Sequence, residues 1–379
     1  MRHLHELLDD AEGSVAASRM AAALDAPGAT LPTAAAAQLA IRHLARRFIV
    51  GVDAAAAAPT LARLWRAGAA ATVDLLGEAT VTESEADRYA SRCRKTLLTL
   101  AGTAGTWAPN GLLERDGAGP LPRANVSVKV SALTPQLRAE DPARGVAGAR
   151  ERLRRLLRHA REAGAHVHID MESLDTREAT LELTLDLLGE AEFVDGPSCG
   201  VVVQAYLVDS GQELESILAW AAAHRRGEPL TIRLVKGAYW DHEVVEAAQH
   251  GWTPPVFTDR RACDRNFESL SRRLIDGFPT VRAAIASHNL RSVAHAAAYA
   301  EAAGLGRGDV EFQVLRGLGD DLMVAIAATG RRVRCYCPVG DLVSGMAYLV
   351  RRLLENTAND SFLAATAGGA DLSTLLAAP

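Results

Sequence analysis

The chain has 379 residues, 49% of them hydrophobic, enough to bury one large barrel or two average domains. A formal net charge of −5, with no dense Lys/Arg block, excludes an overall basic field for holding nucleic acid. Five irregularly spaced cysteines, at 93, 199, 263, 335 and 337, argue against a secreted disulfide framework and for a reducing compartment.

The N-terminal MRHLHELLDDAEG carries acidic residues and lacks the apolar core of a signal peptide. No uncharged apolar run reaches the 18 residues a membrane span needs. The expected location is the cytoplasm, at most peripheral on the inner face of the cell membrane. Residues 1–68 read as an alanine-rich helical arm lying outside the rest of the fold. From residue 69 short apolar or alternating runs recur, at 70–75, 125–130, 166–172, 201–206, 230–236, 282–288, 310–315 and 332–337. Helix-like stretches such as 150–163 and 178–188 separate most of them. Alternating strands and helices mean parallel strands joined by crossovers, and eight units predict a (βα)8 TIM-type barrel over 69–362 with a tail at 363–379. A doubly wound sheet is the alternative, but no G-x-G-x-x-G follows the first run. Residues 103–123, rich in Gly and Pro, read as the clearest flexible stretch.

Side chains alternate across a strand, so each run divides into a helix-facing and an inward-facing set. Ser127, Lys129 and Ser131 share one face of the second run, and His166, His168, Asp170 and Glu172 one face of the third. Gln204 and Tyr206 end the fourth; Thr231 and Arg233 share a face in the fifth, Glu311 and Gln313 in the seventh, and Arg332, Arg334 and Tyr336 in the eighth. Exposed polar faces suit an antiparallel sheet, but barrel strands are covered on both sides, so these residues form an interior ion network or a site. Cys335 and Cys337 read as small apolar strand residues rather than metal ligands. After Pro338-Val-Gly, Asp341 can cap a helix to about 355 in which Tyr348, Arg351, Arg352 and Glu355 share a face near the barrel mouth. A double arginine there suits a carboxylate, which the guanidinium fork matches bidentately.

The segments NVSVKVSAL, HIDMES, VVVQAYL, IRLVKGAYWD, ASHNLRS, EFQVLRGLGDDL, RCYCPVG and AYLVRRLLENTANDSF, in this order over roughly 70–362, resemble the proline dehydrogenase family. The resemblance implies a distorted (βα)8 barrel with non-covalent FAD. It implies oxidation of L-proline to 1-pyrroline-5-carboxylate and electron transfer to a membrane quinone. It makes Lys129 the substrate lysine, Arg351 and Arg352 the carboxylate pair, and Tyr336 and Tyr348 the walls of the proline pocket. Asp170 and Arg233 stand at essential active-site positions. Met171, Gln204, Arg233, Lys236, Gly237, Ala238, Trp240, Ser287, His288 and Asn289 match flavin-contacting positions, and Glu355 orients the arginines or the flavin edge. Ser287 stands where threonine is common and keeps the hydroxyl. Tyr336 favours proline over hydroxyproline, whose ring hydroxyl it would crowd. The chain length leaves no room for an aldehyde dehydrogenase module, so a monofunctional enzyme with a separate pyrroline-5-carboxylate dehydrogenase is expected.

Other readings are a hydroxyproline dehydrogenase, a metallohydrolase using His166 and His168 with His288 and Asp170, and an aldolase using Lys129 or Lys236 as a Schiff-base lysine. A non-catalytic flavin- or amino-acid-binding barrel is the last.

Overall fold

A computed structural model describes residues 47–341 apart from 78, 79 and 139, together with 345, 348, 349, 371, 373 and 376–379. Helix α1 (Ala54–Arg66) begins at Asp53, whose side chain accepts from the Ala56 amide at 2.9 Å. Its Ala57, Leu61 and Leu64 join the main hydrophobic core, so this end of the expected arm lies directly on the barrel wall. Residues 1–46 and most of the expected helix at 341–355, including Arg351, Arg352 and Glu355, lie outside the described residues.

The barrel strands are β1 (Ala69–Leu75), β2 (Asn125–Lys129), β3 (His166–Asp170), β4 (Ser198–Gln204), β5 (Leu230–Val235), β6 (Val281–Ala286), β7 (Val310–Leu315) and β8 (Val333–Val339). They pair in parallel in sequence order, and β1 closes the ring on β8. The crossovers are α2 (Glu83–Ala104), α3 (Pro142–Glu162), α4 (Leu174–Gly189), α5 (Ser210–His224), the pair α6 (Trp240–His250) and α7 (Arg260–Ile275), α8 (Leu290–Ala302) and α9 (Asp320–Ala328). Local chemistry marks several starts. Thr82 and Glu85 form a capping box for α2, Asp141 before Pro142 caps α3, and Asp259 caps α7. The helix-facing strand residues, among them Val126, Val128, Val167, Ile169, Ile232, Leu234, Phe312, Val314, Cys335 and Cys337, form one continuous core. The eight strands expected from the sequence are all present, with ends shifted by up to three residues.

The stretch 103–123 departs from the expectation of a flexible connection. It folds into a short helix, Gly111–Glu114, and a two-residue ribbon pairing 115–116 with 119–120. Asp116 is buried under the barrel, accepting from Arg282 at 2.9 Å and Arg332 at 3.3 Å. Gly and Pro set the turns of this plug, while two buried guanidiniums supply its anchor.

Candidate active site

The inward-facing residues at the C-terminal ends of the strands meet at Asp170. Its Oδ1 accepts from Ser127 at 2.7 Å and from Arg233 Nη1 at 2.6 Å. Its Oδ2 accepts from the Tyr336 hydroxyl at 2.7 Å and lies 3.5 Å from Lys129 Nζ. Burial pushes the Asp170 carboxyl up, but Lys129, Arg233, Tyr336 and Ser127 overcome it and hold it below its ordinary value. Burial, reinforced by the Asp170 and Asp74 carboxylates, raises the Tyr336 phenol well above its usual range, so it stays a donor. Lys129, Asp170, Arg233 and Tyr336, singled out on four different strands, thus form one cluster where a barrel carries its chemistry.

Asp74 completes it. This carboxylate at the end of β1 is 1% exposed and accepts from Lys129 Nζ at 2.7 Å. Alternation along β1, which turns Thr72 and Asp74 to the same face, was the signal that could have found it. Gln313 is a second partner not singled out for the site, accepting from Arg233 Nε at 2.7 Å.

Around the cluster the other expected residues form a rim. Gln204 donates to the Glu172 carbonyl at 2.9 Å, and Met171 is buried beside it in sequence. Lys236 is ion-paired with Asp264. Gly237 has φ +131°, and a Cβ there would stand 2.3 Å from the Tyr206 ring, so the turn at 236–238 closes over Tyr206 only with glycine. Ala238 is exposed, and Trp240, also exposed, donates its indole N–H to the Phe257 carbonyl at 3.0 Å. Ser287 accepts from the Asn289 amide at 3.1 Å; Asn289 caps α8, accepting from Ser292 at 3.1 Å; His288 accepts from the Leu315 amide at 2.9 Å. Tyr348 packs with Phe48, Ile49, Leu318 and Leu349.

Among the polar atoms buried at this end without a hydrogen-bond partner among the described residues are Arg233 Nη2, Gln204 Oε1 and the Tyr206 hydroxyl. Such atoms are costly unless something satisfies them. A donor, an acceptor and a glycine turn at one mouth fit a planar cofactor with a polar edge, as the flavin implied by the resemblance has.

Deeper in the barrel, His166 and His168 hydrogen-bond to each other at 3.2 Å, and His166 to Ser198 at 2.9 Å. Burial, then Arg334, lowers His166 to about 3, and burial, then Arg233, holds His168 well below its ordinary value. The pair fills the interior; a Cβ at Gly200 would collide with the His168 ring at 2.4 Å. Among the described residues no group of three or more His, Cys, Asp and Glu side chains is placed to hold a metal.

The family model for proline dehydrogenase matches residues 57–365. The chain belongs to the proline dehydrogenase family. It is 32% identical over 334 residues to the bifunctional protein PutA of Escherichia coli, covering 86% of this chain and 24% of that protein. Proline dehydrogenase of Deinococcus radiodurans is 30% identical over 327 residues, 85% of this chain and 89% of that protein. The solved structure of PutA from Bdellovibrio bacteriovorus inactivated by N-propargylglycine superposes with a TM-score of 0.88 at 37% identity, covering 98% of this chain and 38% of that one. The chain thus spans about a quarter of the length of its PutA relatives.

Proposed function

We propose that this chain oxidises L-proline to 1-pyrroline-5-carboxylate using non-covalently bound FAD, and that the electrons pass to a membrane quinone. The observation that carries the reading is the buried Asp170 hub, binding Lys129, Arg233, Ser127 and Tyr336 beside polar atoms that have no hydrogen-bond partner among the described residues. A PutA name on the relatives and inactivation of the Bdellovibrio protein by a glycine derivative support an amino-acid substrate.

Arg233 Nη2 and Gln204 Oε1 would hold the polar edge of the flavin, Met171 its apolar face, and Lys236, Gly237, Ala238, Trp240, Ser287, His288, Asn289 and Glu355 the remainder. When bound, FAD would supply the two-electron acceptor for the hydride that leaves proline C5, the ring nitrogen losing its proton to solvent as the C=N bond forms. Lys129, together with Arg351 and Arg352, presents cations to the substrate carboxylate. Asp170 and Asp74 keep the Lys129 ammonium in place, so that binding orients the ring. Arg233 places positive charge where reduction adds negative charge. Tyr336 and Tyr348 wall the pocket. Because Asp170 ties down its hydroxyl at 2.7 Å, Tyr336 cannot swing aside for a hydroxylated ring, which favours proline over hydroxyproline.

The product would pass to a separate pyrroline-5-carboxylate dehydrogenase. Among the described residues no helix is long and apolar enough to cross a membrane, so a quinone would be met by peripheral contact of a cytoplasmic protein with the inner face of the cell membrane. The Schiff-base reading is disfavoured because Lys129 and Lys236 both have carboxylate partners that tie up the amine.

The test is the visible spectrum of the purified protein before and after anaerobic addition of L-proline. Flavin bands that bleach with proline, and faster than with hydroxyproline, are expected. A protein that takes up no FAD, or whose bound FAD stays oxidised with proline, would sink the proposal.

A further inference from the structure

The Arg233 guanidinium is held from three sides. Nη1 donates to Asp170 at 2.6 Å, Nε donates to Gln313 Oε1 at 2.7 Å, and Cζ lies 5.3 Å from the centre of the Tyr336 ring. Nη2 is left without a partner among the described residues. Nη1 also reaches Ser127 Oγ at 3.4 Å, but anchors at that one nitrogen leave the planar group able to pivot about it. The second anchor, at Nε, removes this freedom.

Gln313 is itself fixed in direction. Its Nε2 donates to Glu311 Oε1 at 2.7 Å, and the same oxygen accepts from Arg334 Nε at 2.8 Å. Turning the amide over would set its NH2 against the Arg233 N–H and its carbonyl against the Glu311 carboxylate, replacing two hydrogen bonds by two repulsions. Arg334 in turn donates Nη1 to the Ala71 carbonyl on β1 at 2.9 Å. A strut therefore runs from the β1 backbone through Arg334, Glu311 and Gln313 to Arg233, and all four side chains are buried.

We propose that Gln313 is a positioning residue that aims Arg233 Nη2 at the flavin and thereby raises the flavin reduction potential without touching flavin or substrate. The inference rests on the function proposed above and adds a determinant of how readily the cofactor accepts electrons. A guanidinium edge turned toward the flavin stabilises the negative charge of the reduced form. One turned away, or neutralised by another carboxylate, does not.

The experiment is the midpoint potential of the FAD-loaded protein by spectroelectrochemistry, with proline kinetics alongside. The variants are Gln313→Met, which keeps the length and loses both hydrogen bonds, Gln313→Glu, which sets a carboxylate against Arg233, and Glu311→Gln, which leaves Gln313 in place with a weaker brace. Both Gln313 variants are expected at more negative potential than the parent, Gln313→Glu furthest, with a smaller shift of the same sign for Glu311→Gln. In Gln313→Met, kcat falls about tenfold while KM stays within about twofold, because the substrate contacts survive. Parent-like potentials in variants that retain FAD and the parent circular dichroism overturn the proposal. Should Gln313→Met not fold, the two isosteric variants decide it by the same reading. A parent protein that takes no flavin or is not reduced by proline fails the functional reading instead, before Gln313 comes into question.

Discussion

The two ends of the barrel interior use the same residue types to opposite ends. At the N-terminal end every guanidinium meets a carboxylate: Arg282 meets Asp116 at 2.9 Å and Glu228 at 3.1 Å, Arg332 meets Asp116 at 3.3 Å, and Arg334 meets Glu311 at 2.8 Å. Burial pushes Glu311 up, yet Arg334 and Arg332 outweigh it and bring its carboxyl down to about 2. A neighbouring cavity of about 20 Å3, lined by these arginines and both interior histidines, has room for a single water. At the C-terminal end Asp170 gathers its donors just as closely, but Arg233, Gln204 and Tyr206 each keep a polar atom without a hydrogen-bond partner among the described residues. On the floor Arg332 Nε and His168 Nε2 also lack a hydrogen bond among the described residues, but they belong to residues lining that one-water cavity. The unsatisfied groups near Asp170 stand instead at the mouth, where a larger ligand can reach them.

The sharpest way to break this contrast is to remove the hub. Asp170→Ala should slow reduction of bound flavin by proline about a thousandfold, the scale of losing a preorganised electrostatic group. Lys129 retains Asp74 and Arg233 retains Gln313, so the variant should still fold. Stopped-flow absorbance and a melting curve check both halves; a variant that is merely less stable but fully active would make the mouth structural.

Arg282→Met tests the floor. It leaves the buried Asp116 carboxylate underpaired and should cost about 3 kcal/mol of folding stability. Turnover per bound flavin should stay within about twofold of the parent, read from denaturant titration and kinetics on the same preparation.

A smaller effect separates two buried glutamates by pH. Glu213 on α5 lies 3.1 Å from Arg177, but burial outweighs that arginine and lifts its carboxyl to about 7. Its folded value lies above its unfolded one, so its contribution is full below about pH 4.5 and lost as pH rises through 7. Glu213→Gln should therefore flatten the fall in stability across that window. Glu311 has the opposite sign: its contribution is present above its unfolded value and lost as pH falls toward about 2. Urea titrations at pH 5 and pH 8 distinguish the two, and equal slopes for parent and Glu213→Gln would remove Glu213 from the account.

Much of the site was legible because strand alternation is local. A period of two assigned Lys129, Asp170, Arg233 and Tyr336 to inward faces before any neighbour was known. Asp74 obeys the same rule on β1 but is masked in the sequence by a run that reads as mostly apolar. Asp116 could not have been read at all. It sits in a Gly/Pro-rich stretch that looks like a surface turn, and its partners Arg282 and Arg332 are 166 and 216 residues away in the chain.

The sequence alone thus determined the eight strands, the face each side chain takes, and the clustering of cations with a carboxylate at the strand ends, because backbone period and burial on both sides of a parallel strand are local constraints. Only the tertiary structure decided which charges pair. Ring closure of β1 on β8 sets the heights of the inner layers, and those heights place Lys129 between Asp74 and Asp170, brace Arg233 on Gln313, and leave Arg233 Nη2 without a partner among the described residues. Partner choice depends on distances between strands far apart in the chain, and no local pattern encodes those.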